Sequence, residues 1–394
     1  MDVTIIPGPL KGRVTPPPSK SQAHRAVLAL MLAQGEGRLE NLAPSQDIQA
    51  TQNCVAALKS GFPAGEDGLP QLDCGESGST LRFLIPVALA LRGGGHFTGR
   101  GRLMERPQGP YIRLFQEKGI TWTQEGDWLT VSGQLSPGVY SLPGDVSSQF
   151  VTGLLYALPL LPGDSRIVLT TPLESRGYVD MTLETLRQFG VTVTEEEHGF
   201  LVPGNQTYRA RDLTLEADWS QAAFWYAANF LGGQVEIQGL NMESAQGDRR
   251  VALDYWKLAR PGDVTLDLAQ CPDLAPPLAL MAAVRRGNAR LTGAGRLRMK
   301  ESDRLHTIAV TLNALGASVT EGADFLEIQG VDTLSGGRVD GCNDHRIAMM
   351  AAVASLACRE PVTMTGAECV NKSYPQFWDH FQQLGGVLHG VLPG

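Results

Sequence analysis

Three stretches of the chain repeat one pattern of apolar and polar positions. Residues 111–133, 181–204 and 308–330 each open with apolar side chains at helical spacing, such as Leu183, Leu186 and Phe189, and then reach a glycine. After the glycine the positions alternate, as in Ile120-Thr121-Trp122-Thr123, break at Glu125-Gly126-Asp127, and alternate again through Leu129-Thr130-Val131. The pattern predicts a helix, a left-handed glycine stop and a β-hairpin. The interval is constant, because Gly119 to Gly133, Gly190 to Gly204 and Gly316 to Gly330 each span 14 residues. Gly61 to Gly75 repeats it with a weaker pattern, and Gly385 follows another predicted helix over residues 377–384. Apolar strands precede two of the stretches, at Ile167-Val168-Leu169-Thr170 and Ala289-Arg290-Leu291-Thr292. Strands alternating with helices in a recurrent unit imply a duplicated α/β body with mixed sheets.

Length and charge narrow the picture. The 394 residues suffice for two domains with full cores, and the formal charge of -8 argues against a nucleic-acid partner. Cation clusters on an acidic chain point instead to a small anionic ligand. The six cysteines (Cys54, Cys74, Cys271, Cys342, Cys358 and Cys369) are scattered, with neither a CxxC pair nor a zinc-like Cys/His spacing. Free thiols, no metal and a cytoplasmic location are expected. There is no basic-then-apolar leader and no apolar run of the roughly 18 to 20 residues that a membrane span needs, so a soluble protein is expected.

The cations gather at predicted helix starts. Pro16-Pro17-Pro18-Ser19-Lys20-Ser21-Gln22-Ala23-His24-Arg25 runs a stiff extended segment into a helix whose opening turns carry Lys20 and Arg25. Two cations at a positive helix end are misplaced unless an anion joins them; a solvated basic face is the alternative. Ser77-Gly78-Ser79-Thr80-Leu81-Arg82 leads into an apolar helix, where Gly78 would let backbone N–H groups approach a ligand. Arg106 lies in a loop before the helix at Tyr111, where it could equally be a surface residue. Ser147-Ser148-Gln149 opens another helix, suiting either a phosphate or an ordinary serine cap, and Ser175-Arg176-Gly177-Tyr178 adds a further hydroxyl-rich loop.

The C-terminal half contributes Asp273, Lys300-Glu301-Ser302-Asp303-Arg304, Asp344-His345-Arg346 and Asn371-Lys372-Ser373. Lys300 and Arg304 are expected on one helical face, where like charges favour a bound anion. Glu301 between them is either a reactive carboxylate or a structural ion-pair partner, and Asp273 could simply cap the helix that carries Pro276 and Pro277. Only seven lysines occur against 26 arginines, yet Lys20, Lys300 and Lys372 all fall inside these motifs. A compact, titratable ammonium is kept where charge chemistry needs it.

Taken in order, these segments closely resemble the 5-enolpyruvylshikimate-3-phosphate synthase family, over nearly the whole chain. The most specific pieces are Ser19-Lys20-Ser21 with Arg25, Arg106-Pro107, Ser147-Ser148-Gln149, residues 300–305, Asp344-His345-Arg346 and Lys372. The resemblance implies a two-domain inside-out α/β barrel, each domain three βαβαββ repeats, with the ligands in an interdomain cleft. The domains would be residues 1–15 plus 219–394 and residues 16–218, with crossings near 14–18 and 215–219.

It also implies a reaction, in which the 5-hydroxyl of shikimate 3-phosphate attacks C2 of phosphoenolpyruvate while C3 is protonated, and the adduct loses phosphate. No cofactor is implied, and the expected form is a monomer. By resemblance Ser147, Ser148 and Ser175 would hold the 3-phosphate, Ser21 and Arg25 the shikimate carboxylate, and Gln149 and Tyr178 would line the ring. Arg106, Arg304, Arg346 and Lys372 would grip phosphoenolpyruvate beside the Gly78 backbone and Gln149, with Lys20 near both substrates. Asp273 and Lys300 would contact the reacting hydroxyl, with Asp273 as base and Glu301 or Lys20 as the proton donor to C3.

The chain departs from the family's commonest pattern at Glu76 and at Arg296, where Asn is usual, and at Ser79, where Thr is frequent. The carboxylate of Glu76 must therefore point away from the phosphoenolpyruvate pocket or pair with a cation. Gly78 is kept, so glyphosate is expected to compete with phosphoenolpyruvate. The rivals are the sister enzyme acting on UDP-N-acetylglucosamine and a non-catalytic anion-binding protein of the same fold. The first usually carries a cysteine or aspartate in a loop that here, over residues 103–110, has neither; the second would not need carboxylates among its cations.

Overall fold

A computed structural model describes residues 1–390. The chain divides into two compact units, Met1–Ser19 with Glu216 onward and Lys20–Leu215. Pro16, Pro17 and Pro18 thus belong with the first unit, where the Asp218 N–H donates to the Pro17 carbonyl at 2.8 Å and the Ser19 N–H to the Glu216 carbonyl at 2.7 Å.

In the unit Lys20–Leu215, two four-stranded sheets share one plan. The first runs Gln71–Asp73, Gly94–Thr98, Trp128–Ser132, Thr121–Glu125 in spatial order, with the first pair parallel and the rest antiparallel. The second runs Val139–Leu142, Ser165–Leu169, Gly199–Val202, Thr194–Glu196 in the same sense. The helices ending before the hairpins, Gly109–Glu117 and Arg176–Gln188, stop at Gly119 and Gly190, whose φ of +72° and +79° supply the left-handed residue expected there. A third repeat is abbreviated, with helices Lys20–Leu32 and Gln46–Ser60 accompanying only the parallel pair Leu213–Thr214 and Leu39–Glu40. Its hairpin shrinks to one bridge between Ala64 and Pro70, since Pro63 and Pro70 have no N–H to give a ladder.

The other unit repeats the plan. One sheet orders Val264–Asp267, Asn288–Thr292, Leu326–Gln329, Ser318–Glu321, and the parallel pair Lys11–Val14 and Gln234–Ile237 forms the abbreviated repeat. The remaining sheet orders Gly337–Asp340, Val362–Thr365, Val3–Ile6, Val387–Gly390. Here the chain's first strand takes the place of the second hairpin strand, pairing antiparallel with Val387–Gly390 after the stop at Gly385.

Helices that are apolar all round must lie inside. Every residue of Ala275–Ala283 and of His345–Ala354 is buried, as are residues 80–89 and 150–157 in the other unit, while hairpin strands such as Thr121–Glu125 are mostly exposed. The sheets therefore wrap the helices, the inverse of the usual barrel. At Gly153 the interior helices approach so closely that a Cβ would meet the Arg82 carbonyl and the Tyr111 hydroxyl. No helix among the described residues is long and apolar enough to cross a membrane.

Candidate active site

Within Lys20–Leu215 the motif residues other than Arg106 lie in the opening turns of helices, where free amides favour anions. The helix Lys20–Leu32 begins at Lys20 itself, and its two cations separate. Lys20 Nζ donates to Asp47 Oδ2 at 2.7 Å, so an internal carboxylate supplies the anion that this helix start needs. Arg25 turns inward and is almost wholly buried, donating to Thr182 Oγ1 at 2.9 Å and to the carbonyls of Ser21 and Tyr178 at 2.7 and 2.8 Å. Burial pulls its guanidinium down to about 10.

Around it, Ser147 caps the helix Ser148–Ala157 by accepting from the Gln149 N–H at 3.3 Å, and Ser148 is buried. Ser175 sits buried in the left-handed region at φ +55°, at the start of Arg176–Gln188, and its carbonyl accepts from the Tyr178 N–H. A non-glycine residue held there is a sparsely populated backbone state of the kind that gathers at functional loops.

Arg106 is not a surface residue. It is buried after the short turn Leu103–Glu105, and its guanidinium lies flat on Gly78: a Cβ there would stand 2.6 Å from one terminal nitrogen and 2.9 Å from Cζ. Arg106 Nε is buried without a hydrogen-bond partner among the described residues. Arg82, four residues after Gly78 and marked by no signal of its own beyond the Ser77–Arg82 motif, ties this region together. It donates to Gln149 Oε1 at 2.8 Å and to the Pro107 carbonyl at 2.9 Å, lying 4.7 Å over the Phe150 ring, while Gln149 Nε2 reaches Ser79 Oγ at 3.0 Å. The Glu76 carboxylate leans on Gly101. Arg296 donates to the Ala269 carbonyl.

In the other unit the cations converge on one carboxylate. Asp273 does not cap the helix bearing Pro276 and Pro277; it lies within the turn Pro272–Leu274. Its Oδ1 accepts from Lys300 Nζ at 3.3 Å and from an Arg304 terminal nitrogen at 3.0 Å, and its Oδ2 accepts from Arg346 at 2.9 Å. Lys300 and Arg304 do not share a helical face either, because Asp303 caps a helix that begins only at Arg304. They meet instead through Asp273.

Arg304 is almost fully buried and saturated with acids. Nε donates to Asp344 Oδ2 at 2.9 Å, and one terminal nitrogen reaches both Glu301 Oε2 at 2.5 Å and Asp344 Oδ1 at 3.2 Å. Burial alone would weaken its hold on its proton, but Asp344, Glu301 and Asp273 overcome that and raise it. Asp344, wholly buried, also caps His345–Ala354 through the Arg346 N–H and accepts from Ser302. Lys372 Nζ, buried, donates to the Asn343 carbonyl at 2.6 Å, and Cys342 and Asn343 hold φ of +53° and +50° just before the Asp344 cap.

Comparison with known proteins fits this arrangement. Residues 5–381 match the model of the EPSP synthase (3-phosphoshikimate 1-carboxyvinyltransferase) family. Relatives named 3-phosphoshikimate 1-carboxyvinyltransferase include those of Clostridium novyi, 42% identical, and Clostridium kluyveri, 43% identical, each alignment covering 98% of both chains. The fold is shared with an EPSP synthase of Acinetobacter baumannii, at TM-score 0.79, 23% identity and 99% and 100% coverage of the two chains. It is shared equally with the enolpyruvyl transferase NikO of Streptomyces tendae, at TM-score 0.79, 17% identity and 100% and 99% coverage. With clustered cations, inward helices and sheet order all in keeping with that match, the chain belongs to the EPSP synthase family.

Proposed function

We propose that the chain carries out the reaction its family is named for, as a 3-phosphoshikimate 1-carboxyvinyltransferase of the shikimate pathway. It transfers the enolpyruvyl group of phosphoenolpyruvate to the 5-hydroxyl of shikimate 3-phosphate and releases phosphate. The observation that carries this reading is the Asp273 cluster, where Lys300, Arg304 and Arg346 meet on one carboxylate with a second, Glu301, beside them. Binding anions needs only the cations. A reaction that takes a proton from oxygen and gives one to carbon needs the acids as well.

In the first half-reaction the 5-hydroxyl oxygen bonds to C2, its proton passes to Asp273, and the C2–C3 π pair takes a proton at C3 from Glu301 or Lys20. In the second, C3 returns a proton, the double bond re-forms, and the C2–O bond to phosphate breaks. Arg304 and Arg346 donate to Asp273; drawn onto the anions of phosphoenolpyruvate, they would free its oxygens to accept the hydroxyl proton. Arg106, Lys372, Lys20, Gln149 and the Gly78 amide complete the grip on that substrate. Ser147, Ser148 and Ser175 hold the 3-phosphate; Ser21, Arg25, Gln149, Tyr178 and Lys300 hold the rest of shikimate 3-phosphate. Two polyanions repel, so neutralising and aligning them supplies much of the rate. The six cysteines are all free thiols, which supports a reducing cytoplasm; a monomer is part of the same proposal.

Phosphate release from the two substrates tests the reading. Asp273→Asn should lose about 10²- to 10⁴-fold in kcat, with shikimate 3-phosphate still bound in a calorimetric titration. Full activity in that variant would remove Asp273 from its role.

A further inference from the structure

A line of polar side chains runs through the interior of the unit Lys20–Leu215 and is used by none of the roles above. His24 is buried on the helix Lys20–Leu32, its ring edge-on to Phe83 at 6.5 Å between centroids. Its Nδ1 lies 2.7 Å from Thr51 Oγ1 on the helix Gln46–Ser60, and Thr51 Oγ1 lies 2.6 Å from Thr80 Oγ1 on the helix Gly78–Arg92. Thr80 Oγ1 donates at 2.7 Å to Ser77 Oγ, which also caps that helix by accepting from the Thr80 N–H. His24 Nε2 is buried without a hydrogen-bond partner among the described residues.

The proton order along this line follows from valence. Each hydroxyl has one proton. Thr80 spends its proton on Ser77, so at 2.6 Å it must accept from Thr51; the Asp47 carbonyl, 3.2 Å from Thr51 Oγ1, is the longer, secondary acceptor of that same proton, and the Thr51 oxygen is left to accept from His24. The imidazole is therefore the Nδ1–H tautomer, with Nε2 bare. Burial, with Lys20 and Arg25 nearby, holds it well below the usual histidine range and so neutral.

A core position filled by a histidine with one unsatisfied nitrogen is less stable than an apolar one. What the line provides is directional. It joins the N-terminal halves of three helices, and these carry Lys20, its partner Asp47, and Gly78 under Arg106. Apolar packing alone lets helices slide in small steps, whereas short ordered hydrogen bonds fix their register.

We propose that His24, Thr51 and Thr80 are positioning residues that hold Lys20 in register with the Gly78 helix start, and so set the affinity for phosphoenolpyruvate without touching it. This rests on the assignment of Lys20, Gly78 and Arg106 to phosphoenolpyruvate made above.

The test compares Thr51→Val, which keeps the shape and removes the hydroxyl, with Thr51→Ser, which restores it. His24→Leu and His24→Asn form a second pair, since the asparagine amide can donate where Nδ1–H does. Thr51→Val and His24→Leu should raise the KM for phosphoenolpyruvate about tenfold with the KM for shikimate 3-phosphate changed less than about twofold, kcat falling as well only where Lys20 is the donor to C3, and the conservative partners should recover most of the loss. Equal rises in both KM values, a fall in kcat alone, or no change would overturn the proposal. Nitrogen-15 spectra of the wild type at pH 7 should show His24 neutral and protonated on Nδ1, whether or not any variant folds; an Nε2–H tautomer or an imidazolium would also overturn it. Absence of enolpyruvyl transfer by the wild type would instead count against the functional reading, and the spectra would still judge the hydrogen-bond line.

Discussion

Gly78→Ala isolates the contact between a helix start and a buried arginine. The new Cβ would stand 2.6, 2.9 and 3.1 Å from three atoms of the Arg106 guanidinium, where ordinary contact needs about 3.5 Å, so the guanidinium must retreat by about 1 Å. The helix itself loses nothing. Gly78 lies outside the positive-φ region, and alanine is a better helix former than glycine by about 1 kcal/mol. The cost therefore falls on what Arg106 holds. Losing a hydrogen bond to a charged group costs about 1.5–3 kcal/mol, which corresponds to a rise of about ten- to a hundredfold in the KM for phosphoenolpyruvate. The KM for shikimate 3-phosphate should stay within about twofold. Glyphosate, longer than phosphoenolpyruvate and competing for the same place, should lose at least as much affinity. Steady-state kinetics with each substrate varied, a glyphosate competition series and a thermal melt together test the chain of reasoning. An unchanged KM for phosphoenolpyruvate with an unchanged melting temperature would refute it, because the methyl would then have been absorbed without moving Arg106. A wild type in which glyphosate shows no competition with phosphoenolpyruvate would refute the placement of that pocket.

Other consequences follow from the buried acids. Asp344→Ala leaves Arg304 buried without its main partner and uncaps His345–Ala354, so urea unfolding should show a loss of about 3–5 kcal/mol. Glu301→Gln should reduce kcat by about 10²- to 10⁴-fold if it is the donor to C3, and should slow deuterium uptake at the product methylene from heavy water; unchanged uptake would assign that proton to Lys20. Asp248, bonded to Ser220, is pushed from 3.8 to about 6 by burial and then by the nearby Asp273 charge. A carboxyl raised on folding contributes stability that is full below its unfolded value and is lost as pH rises through the folded one. Relative to Asp248→Asn, the wild type should therefore lose roughly 2–3 kcal/mol between about pH 4 and 6, and parallel stability curves for the two proteins would contradict this.

The repeat was legible in the sequence because its signals are local. A helix period, a glycine at the stop and two alternating runs lie within one short window, and the three hairpins and their glycine stops stand where the pattern put them. The fourth hairpin was not legible, since Val387–Gly390 finds its partner in Val3–Ile6 at the other end of the chain, and such a pairing leaves no mark in either segment alone. Lys20, Arg304 and Arg346 were legible as cations at helix starts, where the structure has them. What was missed is that Asp344 and Asp47 hold two of them, and the reason is chemical. Asp344 reads as an N-cap and Asp47 as a first-turn acid, which are the ordinary places for carboxylates, and both do serve their helices. Yet Asp344 accepts from the Arg346 N–H and from the Arg304 side chain together, and Asp47 accepts from Lys20 of a neighbouring helix. One carboxylate thus fixes a helix start and aims a cation at once. The same signal could have corrected the reading of Lys300 and Arg304, because Ser302-Asp303 before Arg304 is itself a cap, and a cap there places Lys300 outside the helix. In a chain that must hold several arginines in a dry interior, a cap followed by an arginine is evidence about the site as much as about the helix.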